Sequence, residues 1–549
     1  MGEIDPDEIF IDSSNLPKFD IDQFEGRLER PIARQTIAAV SILFIILGVV
    51  FLSRFWVLQI SRGEVFAQRS EANRLRHTDI FSNRGVIFDR NGVELASNER
   101  YDDNSDFAKR SYAPLRGIAH LIGYVKYPSK DNAGFYFRNS YIGEDGVEKV
   151  YNEILSGENG DKIVETDARG VIQSQSVVQP PKDGQSLILT IDSRLADKIY
   201  EIMEKSSKDY GFTGGSAVIM DIKNGDLIAL MSFPEYDSSL VAEGDRTAIA
   251  GYQTSPRTPF LNRAVSGLYT PGSIVKPLFA IGALSEGLIS PEKQIFSSGS
   301  ISVPNKYFPD KPTVLRDWKA HGWVDMRRAL AVSSNVYFFA VGGGFEDQKG
   351  LGISNMEKYL KMFGLGEKTG IAVSSESEST IPNPEWKGKT FNGDLWRIGD
   401  TYNTAIGQYG LQFTPIQVAR YIAAIGNGGT LLTPRLVHGD EKIQAKTIPL
   451  QKEYFGVIKE GMRQSVTDGI ATSLNVPYVK VAAKTGTAEL GTRKELVNSW
   501  SVGFFPYENP SYAFVVLMEK GPRSNLIGAT YVVRQLLDWM NGNTPEYFE

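Results

Sequence analysis

Residues 269–277 read Tyr-Thr-Pro-Gly-Ser-Ile-Val-Lys-Pro and place a hydroxyl and an amine three residues apart, at Ser273 and Lys276. Pro271 and Gly272 predict a turn that opens a helix, so Ser273 and Lys276 would share one helix face. A serine hydroxyl is a poor nucleophile at its own pKa, but a neighbouring neutral lysine can accept its proton. Free N–H groups at a helix start also favour a developing oxyanion. The stretch therefore predicts a nucleophilic serine activated by an amine one helical turn away.

A second Ser-x-x-Lys match in the chain shows that this spacing alone is not specific. Ser290-Pro291-Glu292-Lys293 has the same spacing, but there the serine is typical of a helix N-cap followed by proline. The run after Lys276 is largely apolar and contains Leu278, Phe279, Ile281, Ala283 and Leu284. Such a helix would be buried, so it would hold Ser273 rigidly on a core element.

The composition is that of a globular chain with room for two or more domains. Of 549 residues, 42% are hydrophobic and 23% are charged, and the net charge of -6 gives no reason to expect nucleic acid as a partner. The chain has no cysteine, which excludes thiolate nucleophiles and cysteine-based zinc sites and suits an oxidising compartment.

Residues 35–53 contain no charged side chain and are long enough to cross a bilayer as a helix. Phe55 and Trp56 would lie at the membrane interface. A cleavable signal peptide is the main alternative, but residues 53–57 are too bulky for its cleavage site. We therefore predict a cytoplasmic tail of residues 1–34 and an uncleaved transmembrane signal anchor of residues 35–56. The charges that flank the anchor do not decide its orientation.

A β-rich domain is predicted after the anchor, over residues 57–183. Asn91-Gly92 stands between two short apolar runs, which is the pattern of a β-hairpin turn. Further short runs alternate with Gly and Pro up to residues 180–184. Because no residue of this domain carries obvious chemistry, we predict a positioning or docking role and refer to it as the pedestal.

A second, larger domain is predicted over residues 184–549. It begins with a strand and an amphipathic helix to about residue 205, and residues 216–231 then read as strand, Asn224-Gly225 turn and strand. A mainly helical middle extends over residues 273–429. Strands return at residues 479–483, 497–505 and 513–519, before a closing helix of residues 527–540. This order predicts an α+β fold in which a helical subdomain is inserted between the halves of an antiparallel sheet, with Ser273 in the cleft between them.

Two further motifs supply the polar groups that an activated serine needs. Ser333-Ser334-Asn335 stands between two apolar helical runs, so Ser333 and Asn335 are predicted to project from a loop. Lys484-Thr485-Gly486-Thr487 ends the predicted strand of residues 479–483, where Gly486 would let a substrate backbone approach closely. Each motif also recurs elsewhere, as Ser473-Leu474-Asn475 and Lys368-Thr369-Gly370, so neither is specific alone.

In combination, the three motifs resemble those of the penicillin-recognising serine transferases, in the same order and on the expected elements. Residues 84–92, Arg-Gly-Val-Ile-Phe-Asp-Arg-Asn-Gly, are similar to the segment that follows the anchor in class B penicillin-binding proteins. The resemblance extends from residue 35 to the end and indicates the elongation-type branch, penicillin-binding protein 2, with the division-type branch as the alternative. The residues that carry the likeness to this branch are Asp317-Trp318-Lys319, His321-Gly322-Trp323, Tyr337-Phe338-Phe339, Phe363-Gly364-Leu365-Gly366, Asp400-Thr401-Tyr402, Ile406-Gly407-Gln408 and Thr414-Pro415.

The resemblance implies a peptidoglycan D,D-transpeptidase. Ser273 would attack the D-Ala-D-Ala carbonyl of a stem peptide and expel the terminal D-Ala, and an amine of a neighbouring stem would resolve the acyl-enzyme into a cross-link. Lys276 would be the general base, its pKa lowered by burial and by the nearby Lys484 cation. Ser333 would relay the proton to the leaving amine, and the backbone N–H groups of Ser273 and Thr487 would form the oxyanion hole. Penicillins and other β-lactams would acylate the same serine as substrate mimics.

The same resemblance assigns the remaining polar residues to substrate binding. Asn335 would hold Lys276 and the substrate amide. Lys484 and Thr485, together with Thr487, would bind the terminal carboxylate of the stem peptide.

Elongation-type members of the family can bind zinc beside the second motif through an aspartate, a histidine and a cysteine. Asp317 and His321 are present here, but Ser334 replaces the cysteine and the spacing from aspartate to histidine is short. The sequence therefore argues against a metal, and no cofactor is implied.

The resemblance also implies a location and a partner. The chain would be a single-pass protein of the bacterial cytoplasmic (inner) membrane with its catalytic domain outside the cytoplasm. The implied partner is a glycosyltransferase of the shape, elongation, division and sporulation (SEDS) family, of the RodA type, contacted through the transmembrane helix and the pedestal.

Three other functions are compatible with parts of the sequence. A Ser-His-Asp hydrolase needs a positioned histidine, and none of His77, His120, His321 and His438 stands in such a context. A β-lactamase or D,D-carboxypeptidase would share the three motifs and pass the acyl group to water, which the sequence does not distinguish from transfer to an amine. A β-lactam sensor or scaffold is disfavoured because the motif residues are intact.

Overall fold

The computed structural model describes residues 34–64, 75–100, 105–132, 134–166, 172–304, 310–439 and 444–549. These fall into two compact units, one within residues 1–78 and 163–176 and the other within residues 79–162 and 177–549. Apart from Arg34, the predicted cytoplasmic tail lies outside the described residues.

The first unit contains one long apolar helix. The α-helix Arg34–Trp56 continues as a π-helical turn, Val57–Ser61, and none of its side chains is buried. These 28 residues are long and apolar enough to cross a membrane, and they include the predicted anchor of residues 35–56. Exposed Ile, Leu and Phe side chains at this density favour a hydrocarbon environment over water.

Within the described residues, the pedestal contains short strands and short helices. Its four-stranded sheet has the order Leu187–Ile188, Ile87–Phe88, Glu94–Glu99 and Lys109–Tyr112. The hairpin predicted at Asn91-Gly92 joins the second and third of these strands, and Gly92 has a φ of +82°. The first strand comes from beyond the predicted domain boundary and pairs in parallel with Ile87–Phe88, so the pedestal sheet is completed by the start of the next domain.

The other pedestal elements are small. Its helices are Ala119–Ile122, Gly146–Val150 and Asn152–Ser156, and its remaining strands form the pairs Val125–Lys126 with Ile142–Gly143 and Ser129–Lys130 with Tyr136–Arg138. A three-stranded sheet has Gly160–Thr166 between Leu75–Ile80 and Ile172–Gln179.

A buried charge triad explains part of the Arg84–Gly92 segment. Arg84 Nε and Arg110 Nε donate to the two carboxylate oxygens of Glu148 at 2.5 and 2.7 Å, and all three side chains are fully buried. Arg84 also donates to the Glu148 carbonyl, and Arg110 to the Gly85 carbonyl. Because each guanidinium has several acceptors, the cost of burying two cations with one anion is offset.

Asp89 of the same segment connects the pedestal to the larger domain. One carboxylate oxygen accepts hydrogen bonds from the backbone N–H groups of Asn91 and Val93, which closes the hairpin. The other accepts from the N–H and the hydroxyl of Ser193, the first residue of the helix Ser193–Tyr210. These contacts give the segment a structural role at the base of the larger domain.

The larger domain contains the predicted antiparallel sheet. Its five strands have the order Leu227–Phe233, Gly214–Asp221, Tyr512–Pro522, Leu496–Phe505 and Ala482–Leu490. The helices Ser193–Tyr210 and Ala529–Asn543 cover one face. The helices Lys276–Ser285 and Pro415–Gly426 cover the other face. The helix Ser193–Tyr210 extends about five residues beyond its predicted end near residue 205, and the left-handed conformation of Gly211 terminates it.

Between the two halves of the sheet lies the predicted helical subdomain, with strands that the sequence did not indicate. Ile295–Ser297 pairs with Gly322–Val324, and Ser300–Val303 pairs with Thr313–Arg316. Each strand is only three or four residues long, too short to give a recognisable period. Other elements of this domain are the helices Ser238–Glu243, Arg246–Thr254, Met326–Ala331, Asn335–Gly343, Gly352–Met362, Pro384–Thr390, Ile398–Ala405 and Lys452–Asp468 and the strand pair Thr430–Leu432 with Ala445–Thr447.

Candidate active site

Ser273 lies in a 3₁₀ turn, Gly272–Val275, which runs directly into the α-helix Lys276–Ser285. We call these elements the serine turn and the serine helix. The Lys276 N–H donates to the Ser273 carbonyl, so the two residues are one turn apart as predicted, although the turn is 3₁₀ rather than α-helical. Gly272 has a φ of +58°, and a Cβ there would lie 2.8 Å from the Thr487 carbonyl oxygen. The position therefore requires glycine.

Three separate elements hold the backbone of the serine turn and of Thr270, which shortly precedes it. The Trp500 indole donates to the Thr270 carbonyl at 3.0 Å, and the Tyr421 hydroxyl donates to the Ile274 carbonyl at 2.9 Å. The Gly272 N–H donates to the Gly407 carbonyl at 2.9 Å. Because these donors and acceptors belong to a strand, a helix and a loop that are themselves packed, the turn has little freedom to move.

The Lys276 amine is fully buried and points toward the second motif. Its Nζ donates to the Ser333 carbonyl and to Asn335 Oδ1, both at 2.8 Å, and lies 3.4 Å from Ser333 Oγ. Burial lowers the Lys276 pKa to about 7, although the Asp317 carboxylate opposes the shift. A large fraction of this amine is therefore neutral near pH 7, which a proton acceptor requires.

The second motif, Ser333-Ser334-Asn335, differs from its prediction in the position of Asn335. Ser333 lies in the break between two helices with a φ of +56°, a left-handed conformation that few non-glycine residues adopt. Ser334 caps the next helix, because its Oγ accepts from the Tyr337 N–H. Asn335 is the first residue of that helix, Asn335–Gly343, and not part of the loop. At the start of a helix, the Asn335 side chain is held beside Lys276 more rigidly than it would be in a loop.

The prediction that Lys484-Thr485-Gly486 ends a strand of residues 479–483 is wrong. The strand is Ala482–Leu490, so the motif lies inside it, paired with Leu496–Phe505. Four of the nine residues of this strand are polar and one is glycine, so an apolar run detects only its beginning.

Lys484 joins the third motif to the second. Its buried Nζ donates to Ser333 Oγ and to the Thr485 carbonyl, both at 2.8 Å. Burial, together with the positive charge of Lys276, lowers the Lys484 pKa well below its usual value. Ser333 therefore lies between two buried amines, and the pair resists carrying two positive charges at once.

The Ser273 hydroxyl has no hydrogen-bond partner among the described residues, and its side chain is partly exposed. The predicted contact with the Lys276 amine is therefore not made, because this amine is held by Ser333 and Asn335. Catalytic hydrogen bonds often tighten only when the substrate binds. The structure brings Lys276, Ser333, Asn335 and Lys484 into one network at the mouth of the serine turn.

The other residues of the third motif lie along an open sheet edge. Thr485 and Thr487 share one face of the outermost strand, and Thr487 is exposed. A Cβ on Gly486 would lie 2.8 Å from the Pro271 carbonyl oxygen, so glycine is needed for the approach of the serine turn as well as for any substrate. An outermost strand offers unpaired N–H and C=O groups to an extended peptide.

The residues that could bind zinc do not form a zinc site. Both oxygens of Asp317 already accept hydrogen bonds, from Ser297, Trp318, Ser334 and Val336. The Ser334 hydroxyl is a neutral donor, and His321 Nε2 lies 3.7 Å from Asp317 Oδ1 without a hydrogen-bond partner. Among the described residues, no three His, Cys, Asp or Glu side chains are grouped to hold a metal. Zinc prefers thiolate, imidazole and carboxylate ligands, so the site does not fit it.

Comparisons with known proteins cover nearly the whole chain. Residues 215–538 match the family described as "Penicillin binding protein transpeptidase domain", and residues 105–189 match "Penicillin-binding Protein dimerisation domain". A relative from Acinetobacter baumannii named "Peptidoglycan D,D-transpeptidase MrdA" is 28% identical, with 92% of this chain and 87% of that protein covered.

Two solved structures are similar over most of the chain. One is penicillin-binding protein 2 of Helicobacter pylori in complex with MreC, with a TM-score of 0.69, 26% identity, and 85% of this chain and 98% of that chain covered. The other belongs to a structure described as "Structural coordination of polymerization and crosslinking by a peptidoglycan synthase complex", with a TM-score of 0.71, 25% identity, and 93% and 98% covered.

Proposed function

Since the chain belongs to the penicillin-binding protein transpeptidase family, as its motifs predicted, we propose that it is a peptidoglycan D,D-transpeptidase of the elongation type. The observation that carries the proposal is the convergence of Lys276, Ser333 and Lys484 in one hydrogen-bonded network beside Ser273. The substrate would be a peptidoglycan stem peptide that ends in D-Ala-D-Ala.

Acylation follows from the positions of these groups. Ser273 Oγ attacks the carbonyl carbon of the penultimate D-Ala while its proton passes to Lys276 Nζ. The N–H groups of Ser273 and Thr487 stabilise the oxyanion of the tetrahedral intermediate. The C–N bond to the terminal D-Ala then breaks, and Ser333 passes a proton to the leaving amine while it receives the proton that Lys276 took from Ser273.

Deacylation repeats these steps in reverse order. The amine of a second stem peptide attacks the ester carbon, a new C–N bond forms, and the bond to Ser273 Oγ breaks. The proton lost by the attacking amine returns to the serine oxygen through Ser333 and Lys276. An amine acceptor gives a cross-link, whereas water in its place would give a D,D-carboxypeptidase.

The pair of buried amines also gives substrate binding an electrostatic role. In the third motif, Lys484 would bind the terminal carboxylate together with Thr485 and Thr487. A carboxylate at this position raises the pKa of Lys484 and so keeps the proton there. Lys276 then remains neutral because of the neighbouring positive charge. A substrate with a terminal carboxylate would thus favour the neutral form of Lys276, which is the form that accepts the serine proton.

The function is tested with the full chain purified in detergent. Incubation with benzylpenicillin should give one covalent adduct per chain by intact-mass measurement, and heat-denatured protein should give none. A stem pentapeptide and a second stem peptide with a free amine should then yield a cross-linked dimer and D-Ala. Absence of the penicillin adduct contradicts the proposed function, and a shortened monomer without dimer assigns a D,D-carboxypeptidase.

The rate of penicillin acylation is expected to rise with pH and level off above about pH 7. Lys276 must be neutral to accept the serine proton, and its pKa is lowered to about 7, so the active form is lost as the pH falls below this value. Well below it, the rate should fall about tenfold per pH unit, with an apparent pKa that belongs to the pair Lys276 and Lys484. Labelling time courses with a fluorescent penicillin measure this profile, and a rate independent of pH would contradict the assignment of Lys276 as base.

We also propose that the helix Arg34–Trp56 anchors the chain in the cytoplasmic membrane, with the catalytic domain outside the cytoplasm. The apolar, unburied helix and the membrane-external location of peptidoglycan support this orientation. Because the chain has no cysteine, a single cysteine at the exposed Ser298 provides a unique label. A membrane-impermeant maleimide should modify it in intact cells, and protection until lysis would reverse the orientation.

A partner of the SEDS glycosyltransferase family, of the RodA type, is supported by the likeness to a chain of a peptidoglycan synthase complex. The contacts would involve the transmembrane helix and the pedestal. Co-purification of the two proteins from membranes tests this pairing, with a chimaera that carries an unrelated transmembrane helix in place of residues 34–56 as control. Equal recovery with the chimaera would exclude a contribution of the helix.

A further inference from the structure

We propose that Asp317 is a positioning residue of the active site, and that its carboxylate holds the second motif in the conformation that meets Lys276. The carboxylate would do this by hydrogen bonding alone, without a metal. The inference rests on the proposed function, since it assigns a role to Asp317 in the acylation of Ser273.

The carboxylate accepts hydrogen bonds from the middle residue of the second motif and from the residue that follows the motif. Asp317 Oδ2 accepts from the Ser334 hydroxyl at 2.7 Å and from the Val336 N–H at 3.0 Å. Val336 is in the first turn of the helix Asn335–Gly343, where N–H groups lack partners within the helix. The carboxylate therefore fixes the start of this helix as well as the residue that precedes it.

The three residues of the second motif point in two directions. The side chain of Ser334 bonds to Asp317, whereas Ser333 and Asn335 on either side of it bond to Lys276. The left-handed conformation of Ser333 makes this alternation possible in so short a segment. Because Ser334 is fully buried, a rotation that frees it from Asp317 would also displace its two neighbours.

Asp317 is itself fixed by the segment that carries it. Its Oδ1 accepts from the Trp318 N–H at 2.9 Å, and the Trp318 indole donates to the Val332 carbonyl at 3.1 Å. Ser297 on the neighbouring strand donates to Oδ2 at 3.2 Å. Asp317 and Trp318 thus bond to residues 332–336 through both backbone and side-chain groups, which is the support that a precise site needs.

The charge of Asp317 and its hydrogen bonds have opposite effects on Lys276. The negative charge favours the protonated amine, which cannot act as a base, while the hydrogen bonds place the groups that hold this amine. The other ionisable groups near the Lys276 amine are Lys484 on the sheet and His321 beside Asp317. Removing the charge should therefore move the acid limb of the pH profile to lower pH even while the acylation rate falls.

The test compares variants of the full chain by the second-order rate of acylation with a fluorescent penicillin. Ser334→Ala and Asp317→Asn should each lower the plateau rate by about 10- to 100-fold, because displaced catalytic groups cost this much. Asp317→Asn should also shift the acid limb to lower pH. Asp325→Ala is the matched control, because it removes the N-cap of the preceding helix Met326–Ala331. It should lower the melting temperature to a similar extent as Ser334→Ala without slowing acylation.

Several results would overturn the inference. Wild-type plateau rates for both Ser334→Ala and Asp317→Asn would show that the carboxylate positions nothing. An equal loss in Asp325→Ala would show a general effect of stability. If the wild type retains one equivalent of zinc after incubation with zinc and desalting, a metal and not hydrogen bonding alone holds the second motif. If the wild type itself does not react with penicillin, the proposed function fails before the variants are compared.

Discussion

Ser273→Ala is expected to abolish covalent labelling by penicillin, with no adduct detectable by intact mass even after long incubation. The hydroxyl is the atom that forms the ester, and no other residue can replace it in a site without cysteine. Because the Ser273 hydroxyl makes no hydrogen bond among the described residues, its removal leaves the contacts of the serine turn intact. The melting temperature should therefore stay at the wild-type value.

The chain offers a matched control for this substitution. Ser290 belongs to the second Ser-x-x-Lys match, is exposed, and accepts the Lys293 N–H at its carbonyl. Ser290→Ala should be labelled like the wild type. An adduct on Ser273→Ala, or its loss in Ser290→Ala, would place the nucleophile elsewhere, and peptide mapping of the wild-type adduct would identify it.

Lys276→Met is expected to slow acylation by about 10²- to 10⁴-fold, the contribution typical of a general base. Methionine has a similar length and fits the buried position beside the Phe338 ring, which lies 5.4 Å from the amine. The substitution leaves the Ser333 carbonyl and Asn335 Oδ1 without their donor, which should cost about 1–3 kcal/mol each in stability. Acylation kinetics with a fluorescent penicillin and thermal unfolding separate the two effects.

The control for this variant is Lys293→Met, which alters the lysine of the second match. Lys293 is exposed and lies 3.8 Å from Asp347, so the change should affect neither rate nor stability measurably. A Lys276→Met rate close to the wild type would assign the proton transfer to another group, such as Lys484 acting through Ser333.

The main sheet is predictable from sequence because its strands are long and apolar. Gly214–Asp221 and Tyr512–Pro522 are buried on both faces, so each appears as a continuous hydrophobic run. The turn at Asn224-Gly225 also has a local cause, since Gly225 adopts a φ of +87°. Long apolar strands and glycine-containing turns depend on residues that are adjacent in sequence, so one sequence is enough to predict them.

The strand Ala482–Leu490 is different because tertiary pairing defines it. Lys484, Thr485 and Thr487 interrupt its hydrophobic pattern, and only the hydrogen bonds to Leu496–Phe505 fix its length. The two short strand pairs of the helical subdomain are hidden for the same reason. When the residues of a strand form an active site and not the hydrophobic core, they interrupt the hydrophobic periodicity from which the strand would be predicted.

In the active site too, the sequence indicates some residues and not others. Of the residues that the motifs indicate, Lys276, Ser333, Asn335 and Lys484 share one network, whereas the predicted contact between Ser273 and Lys276 is not made. The motifs did not indicate the residues that hold these groups. Asp317 stood out only as a possible metal ligand, and its contacts with the second motif depend on a strand pair that the sequence does not show.

The fixed backbone of the serine turn has a consequence for drug resistance. Trp500, Tyr421 and Gly407 fix the backbone on either side of Ser273 by hydrogen bonds. A natural peptide and an antibiotic would react at the same serine and therefore depend on the same fixed backbone. A mutation that distorts the turn to escape the antibiotic would impair wall synthesis equally. Tolerated escape mutations should therefore arise at exposed side chains around the serine turn, where the parts of a drug that differ from the peptide would lie.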